Sequence, residues 1–398
     1  MIFWGESRLV PNSYIVTYNS VYPKKLSTLG NNMRRLRLVL ALAPIICFVN
    51  GSPPVFAANL LEEIVVTATR TEKVIQNSPY AVSVITEDEL NFKPEDQLAE
   101  LMRDLPGIYV SDAGQAGQLR LRIRGEEARR MAMLVDGQEF GDHREVGVPL
   151  LIDPAEIERI ELVRGPASVL YGPKAMGGVV NIITRSRVEQ PFTGRISTAV
   201  DSATDGVRLT ASMGGVNSHF DWRFGYTNND QGDRDTPAGT MENTSHESES
   251  YSFSIGRGME SSELRFRYED YDSSSEIFVE PEVRFKPPFV DFALDTPQRD
   301  REKLSVAYTY MPRSDYFDSI KIDAYRQVSQ RIFNSFPSLM IAPGLRSDTE
   351  IITDSELTSD GLNMQFNFAP GDRQELVTGI QYVTDEVDQI RYRDNFIN

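Results

Sequence analysis

Residues 220–226 read FDWRFGY. In an extended chain successive side chains point to opposite faces, so Phe220, Trp222, Phe224 and Tyr226 share one face and Asp221, Arg223 and Gly225 the other. The pattern recurs downstream. Tyr251, Phe253 and Ile255 alternate with Ser252, Ser254 and Gly256, and Leu264, Phe266 and Tyr268 with Glu263, Arg265 and Arg267. Leu304, Val306, Tyr308 and Tyr310 alternate with Ser305, Ala307 and Thr309, and Leu362, Met364, Phe366 and Phe368 with Asn363, Gln365 and Asn367. From about residue 192 onward this period of two predicts long antiparallel strands.

A soluble β-sandwich produces the same alternation. Two details favour a barrel in a membrane. One face is polar throughout, as a wet lumen requires, while the other is rich in aromatics that suit lipid and its interfaces. The connections also alternate in length: GVNSH, GMESS, PRSD and PGDR are short turns, whereas 229–247, 276–300 and 333–349 read as long loops. Short turns on one side and long loops on the other are how outer-membrane barrels are built. About nine strand segments follow residue 192, against the even numbers of bacterial single-chain barrels, and the last runs to Asn398. The sequence therefore predicts a barrel that does not close within this chain, although open sheet edges are costly in lipid.

Upstream, from about 59 to 190, the pattern is mixed α and β. EDQLAELMRDLPG has helical spacing at Leu98, Leu101, Met102 and Leu105, stopped by Pro106-Gly107. AVSVITEDEL is a short strand running into a helix start, with Thr86 as N-cap and Glu89 three residues on, a capping box. LRLRIRG and MAMLVDGQ read as alternating strands that end at glycines; IERIELVRG and GGVVNIIT are further short strands. Asp136-Gly137 reads as a turn. Ahead of all these, LEEIVVTATRT (61–71) reads as a hydrophobic strand with no obvious partner.

Arg34, Arg35 and Arg37, the apolar run Leu38–Val49 and the small residues Val55 and Ala57 have the order of a secretory signal peptide, which assigns 33–57 to export. Met33 is the expected initiator, with residues 1–32 an upstream mis-start. The single cysteine, Cys47, lies in the signal, so no disulfide is expected after cleavage. The net charge of −17 argues against nucleic acid, whose phosphates need clustered Lys and Arg. There is no GxxxxGK[ST] phosphate loop, and GPASVLYGPKAMGG lacks the GxGxxG order of a dinucleotide site. No Ser-His-Asp, metal-ligand or paired-carboxylate constellation stands at a defined spacing, so no enzyme, catalytic residue, cofactor or resident metal is expected.

A small mixed domain ahead of a large barrel resembles the TonB-dependent outer-membrane receptors. EEIVVTATRTE is similar to their TonB box. SPYAVSVITEDEL, LAELMRDLPGIYV, LRIRGEEARRMAMLVDGQEF and IDPAEIERIELVRGPASVLYGPKAMGGVVNIITR are similar to successive motifs of their plug domain. The likeness runs almost without gaps from 62 to 185; the barrel half is alike in pattern. The resemblance implies an α+β plug domain (75–190) after a TonB box and linker (58–74), then antiparallel transmembrane β-barrel strands (191–398) forming part of a 22-stranded barrel. It implies a Gram-negative outer-membrane monomer in lipid that binds a small molecule outside and admits it when TonB pulls on the box, using proton-motive force.

On this reading Glu63, Ile64, Val65, Val66, Thr67 and Ala68 would meet TonB, where a β-branched extended segment can add to another protein's sheet edge through main-chain hydrogen bonds. Arg124 and Arg164 match family arginines that pair with barrel glutamates. The ligands of the family include iron–siderophores, haem and cobalamin. His143, in EFGDHREVG, stands where a plug ligand to haem would be, though a surface histidine is the plainer reading; His219 and His246 follow a short turn and end a long acidic loop. Phe278, Phe285 and Phe289 belong to an unusually aromatic loop, with Phe292, that suits a planar ligand such as haem or a catechol siderophore, or else a small core of its own. A ferric siderophore or haem is the expected cargo. A passive porin is disfavoured by the plug motifs.

Overall fold

The structure, a computed structural model, describes residues 65–66, 73–74, 81–92, 98–115, 118–127, 130–140, 151–172, 174–314, 316–371 and 374–397. The signal segment, the residues before it and His143 lie outside these.

β1 (Val65–Val66) and β2 (Lys73–Val74) pair antiparallel, Val65 opposite Val74, as a two-stranded sheet separate from the others. The strand that the sequence leaves without a partner thus has one seven to nine residues further along its own chain.

The elements that follow are β3 (Ala81–Ile85), α1 (Glu87–Phe92), α2 (Leu98–Leu101), β4 (Ile108–Gln115), β5 (Gln118–Ile123), β6 (Glu126–Glu127), β7 (Met131–Val135), β8 (Gln138–Glu139), β9 (Ile157–Arg164), α3 (Ser168–Tyr171) and β10 (Gly178–Thr184). The capping box forms as predicted: Glu89 N–H donates to Thr86 Oγ1 at 3.4 Å, and Thr86 N–H to Glu89 Oε2 at 2.9 Å. The helix expected over 95–107 is described as helix only at Leu98–Leu101. Beyond it Met102, Arg103 and Leu105 donate to carbonyls three residues back, a tighter winding that Pro106 and Gly107, at φ +81°, bring to an end.

Five strands form the plug sheet in the order β3-β9-β10-β7-β8, with β7 and β10 parallel and the other pairs antiparallel. MAMLV does not alternate in burial as the sequence predicts; all five residues are buried. Met131, Met133 and Val135 pack with Leu101, Met102 and Ile160 on one face, while Ala132 and Leu134 pack with Val163 and Tyr171 on the other. A strand covered on both sides needs no polar face.

From Thr193 the chain is nearly all strand: β11 (Thr193–Asp201), β12 (Gly206–Val216), β13 (Asp221–Gln231), the small hairpin β14 (Arg234–Thr236) and β15 (Gly239–Met241), β16 (His246–Met259), β17 (Ser262–Ile277), α4 (Pro281–Arg284), β18 (Phe289–Tyr310), β19 (Phe317–Ala342), β20 (Leu345–Gly371) and β21 (Gln374–Ile397). The nine long strands pair antiparallel with their sequence neighbours, β14–β15 standing apart, and the path does not close on itself. Burial is inverted relative to a water-soluble protein. Ser248, Ser250, Ser252 and Ser254 are buried on the inner face of β16, while Tyr251 and Phe253 are 39% and 37% exposed on the outer face. Outer aromatics pair across strands, Tyr226 with Tyr251 and Phe317 with Phe368, each with ring centroids 5.0 Å apart.

Two loop boundaries differ from the sequence reading. Residues 333–349 are not a long loop, since β19 runs to Ala342 and β20 starts at Leu345. The loop expected over 276–300 narrows to 278–288, because β18 begins at Phe289. Both misreadings have one cause: the apolar residues of these outer segments break the period of two, as at Phe289 and Phe292 or Phe333 and Phe336, around Pro297 and Pro337 and the register shifts at Phe289/Asp291, Asp295/Gln298 and Met340/Ala342.

Candidate functional site

The chain before β9 makes a 3-10 turn at Pro154–Glu156, capped by Asp153, whose Oδ1 accepts from Ala155 N–H at 2.7 Å. Proline at the first position suits the turn because its missing N–H leaves no donor unsatisfied. The turn aims two carboxylates at the barrel wall. Asp153 Oδ1 accepts from Arg208 Nη2 at 2.7 Å, and Glu156 Oε1 from Arg223 Nη2 at 3.2 Å. Glu156 Oε2 also accepts from Ser252 Oγ at 2.6 Å. Burial pushes the Asp153 carboxyl up, and the Arg208 guanidinium and Ala155 amide oppose it. A Cβ at position 225 would collide with Glu156 Oε1, so Gly225 is what lets the carboxylate reach the wall.

A second junction centres on Arg301, whose side chain is 1% exposed. Its Nη1 donates to the Leu151 carbonyl at 2.9 Å, its Nη2 to Glu269 Oε2 at 2.7 Å and its Nε to Gln327 Oε1 at 3.2 Å. The guanidinium carbon lies 5.5 Å from the Phe140 ring centroid. Glu269 Oε1 accepts from Arg267 Nε at 2.8 Å, and Arg267 Nη1 reaches the Arg185 carbonyl at 3.2 Å. Arg265 and Ser254 both donate to the Ser186 carbonyl, at 2.7 and 3.0 Å. The plug is thus held to the wall mainly by barrel donors on plug carbonyls and carboxylates. Sequence reading missed all of these residues, because an inward arginine looks like any other polar-face position. Only the acids of IDPAEIE, set just before a strand, offered a signal.

The sequence-predicted residues that are described fall in five places. Val65 and Val66 lie in the β1–β2 ladder; the other residues of the segment are outside the described ones. Arg124 and Arg164 come together within the plug: Arg164 Nη1 donates to the Pro106 carbonyl at 3.1 Å, and a Cβ at Gly165 would lie 3.6 Å from Arg124 Nη1. In the loop after β17, Phe278 is half-buried and Phe285 is 54% exposed, with Arg284 over its ring at 5.3 Å. Phe289 stacks on Phe292 at 5.5 Å, and Arg284 Nε donates to Asp291 Oδ1 at 2.6 Å. The Phe289–Phe292 pair therefore belongs to the start of β18, and Phe285 is the ring the loop presents outward. His219 Nδ1 lies 2.8 Å from Ser218 Oγ in a short turn, and His246 Nδ1 lies 3.1 Å from the Ser274 carbonyl at the start of β16.

Residues 74–179 match the family described as the TonB-dependent Receptor Plug Domain. The chain is 33% identical over 194 residues to a vitamin B12 transporter, BtuB, of Photobacterium profundum, covering 48% of this chain and 31% of that protein. It is 35% identical over 143 residues to an iron-regulated outer membrane virulence protein of Vibrio cholerae serotype O1, covering 34% and 22%. Among solved structures, the FrpB iron transporter of Neisseria meningitidis superposes with a TM-score of 0.53 at 14% identity, over 79% of this chain and 61% of that one; this likeness bears on the fold. The chain spans about a third or less of the length of the curated relatives it matches. By their names two of these proteins are transporters and one is an outer membrane protein, and none is an enzyme.

Proposed function

We propose that this chain, which carries the plug domain of the TonB-dependent outer-membrane receptors followed by strands of their barrel, serves to import an iron chelate, a ferric siderophore or haem, across the outer membrane. TonB would supply the work of proton-motive force by adding its sheet edge to the segment around Val65–Val66. The observation that carries this reading is the polar seam between plug and wall. Carboxylate–guanidinium and carbonyl–guanidinium contacts, unlike an interlocked apolar core, can be exchanged for water when the plug is displaced. The separate two-residue ladder ahead of the plug supports the reading too, because two pairs of residues are a small barrier to recruitment by another sheet.

Deleting residues 62–70 in the full-length receptor tests it. Uptake is expected to stop while ligand binding at the cell surface persists; uptake that survives the deletion would sink coupled import and leave a passive porin. Cobalamin is a second reading, favoured by the name of the vitamin B12 transporter relative. Competition for surface binding between haem, ferric siderophores and cobalamin separates the two.

A further inference from the structure

The outer face of the wall has two borders of opposite character. Toward the long loops, the outward positions turn acidic just beyond Tyr251, Tyr268 and Leu304, at Glu249, Asp270 and Glu302. The Tyr226 and Tyr251 hydroxyls donate to Glu249 Oε1 at 2.8 and 2.9 Å. Arg326, outward on β19, is closed off by Asp360, with Nε to Oδ1 at 2.7 Å and Nη2 to Oδ2 at 2.8 Å. A phosphate has nothing to bind along this border.

The border beside the short turns differs. Arg257 of β16 faces outward there, across the ladder from Leu264. Its guanidinium carbon lies 5.4 Å from the centroid of the Phe220 ring, in the turn before β13. Phe220, Met259 and Leu264 are exposed apolar side chains on the same side of the wall. The His219 and Phe220 ring centroids are 6.5 Å apart, and His219 Nδ1 lies 2.8 Å from Ser218 Oγ. In the tautomer in which Ser218 donates to Nδ1, Nε2 carries the proton and has no acceptor among the described residues.

Arg257 is exposed, and no carboxylate pairs with it among the described residues. The arginines around it at this rim are all committed: Arg187 to Glu263, Arg265 to Asp221 and Arg313 to Glu260. A guanidinium held on an aromatic face keeps its N–H fork free for the paired oxygens of a phosphate. Its stem covers apolar surface while its head stays at the level of the lipid headgroups.

We propose that Arg257, His219 and Phe220 form a seat for one anionic phospholipid of the periplasmic leaflet. The Arg257 fork takes two phosphate oxygens, His219 Nε2 donates to a third, and the acyl chains lie along Phe220 and Leu264. The acidic border on the other side repels the same headgroup, so the seat serves one leaflet. It stands on the outer face alone and is independent of the imported cargo.

Lipid titration of the full-length receptor in non-ionic detergent tests it, with bound lipids counted by native mass spectrometry. The probes are dioleoyl phosphatidylglycerol and dioleoyl phosphatidylcholine. One phosphatidylglycerol is expected to bind more tightly than the rest. Arg257→Gln should weaken it about 5-fold, the worth of one cation at an anionic lipid surface, and leave phosphatidylcholine binding unchanged, as a misfolded barrel would not. Arg257→Lys, which keeps the charge, should retain most of the affinity. Arg313→Gln, at the same rim but paired with Glu260, should have no effect. Equal phosphatidylglycerol binding by wild type and Arg257→Gln, equal affinity for the two lipids, or the same loss in Arg313→Gln overturns the seat. Displacement of the lipid by millimolar glycerol phosphate would make this a site for soluble phosphate and overturn its assignment to the membrane.

Discussion

Arg301 and Leu151, 150 positions apart in the chain, are joined by a hydrogen bond of 2.9 Å from the guanidinium to the carbonyl oxygen. The same side chain pairs with Glu269 at 2.7 Å, so one buried cation ties the plug to β18 and β18 to β17.

Arg301→Met leaves Glu269 buried with less compensation. Breaking a buried pair from one side costs about 3–5 kcal/mol. The urea midpoint of the full-length receptor in detergent is expected to fall, and the double variant Arg301→Met/Glu269→Gln should lose less than the two single losses added. A midpoint that Arg301→Met leaves unchanged contradicts this account.

Gly225→Ala drives a methyl into the space of the Glu156 carboxylate. The plug is expected to become more open to trypsin, and Glu156→Ala in the same chain should restore most of the protection. If Glu156→Ala brings no relief, the methyl acts on something other than the carboxylate.

Thr86→Ala removes the hydroxyl that caps α1 and is expected to cost about 1 kcal/mol. Hydrogen exchange of the amides of residues 87–90 should quicken, with the barrel amides unaffected.

Val66→Pro removes a main-chain donor from the β1 segment and fixes its φ. Uptake of the ligand is expected to drop while its binding to whole cells stays the same; a parallel fall in binding would mean that the substitution harms the receptor as a whole.

Phe285→Ala removes the ring that the loop after β17 presents to solvent. An aromatic contact is worth about 0.5–1.5 kcal/mol, so titration with haem or a ferric catecholate is expected to show weaker binding by up to about tenfold. Phe289→Ala, which breaks the pairing with Phe292, should instead loosen the loop, seen as faster proteolysis between residues 278 and 288.

What the sequence made legible follows from how each part is solvated. The long strands have lipid on one side and a polar lumen on the other, so their period of two survives in the residues, as at Phe224 and Arg223. The plug strand MAMLV is buried on both faces and keeps no such record. In residues 333–342 Phe333 and Phe336 fall on opposite faces and Pro337 interrupts the pattern, so this part of β19 read as a loop. The contacts between plug and wall were least legible. Arg223 and Arg301 become distinctive only when the fold brings Glu156 and Leu151 against them, over separations of 67 and 150 positions. Within the segment 64–68 the strand at Val65–Val66 was legible, yet its pairing with Lys73–Val74 was not, because two residues leave too short a pattern to register.

The inverted burial of the barrel has a mechanical consequence. A plug embedded in an apolar core would have to drag oily surface through water to move, and the resistance would grow with every ångström. Here the contact layer is serine hydroxyls, guanidiniums, carboxylates and main-chain carbonyls, each of which water can take over as its partner leaves. The seam is in that sense self-lubricating: it grips at rest through many bonds, and a plug pulled from it would trade them for water one at a time.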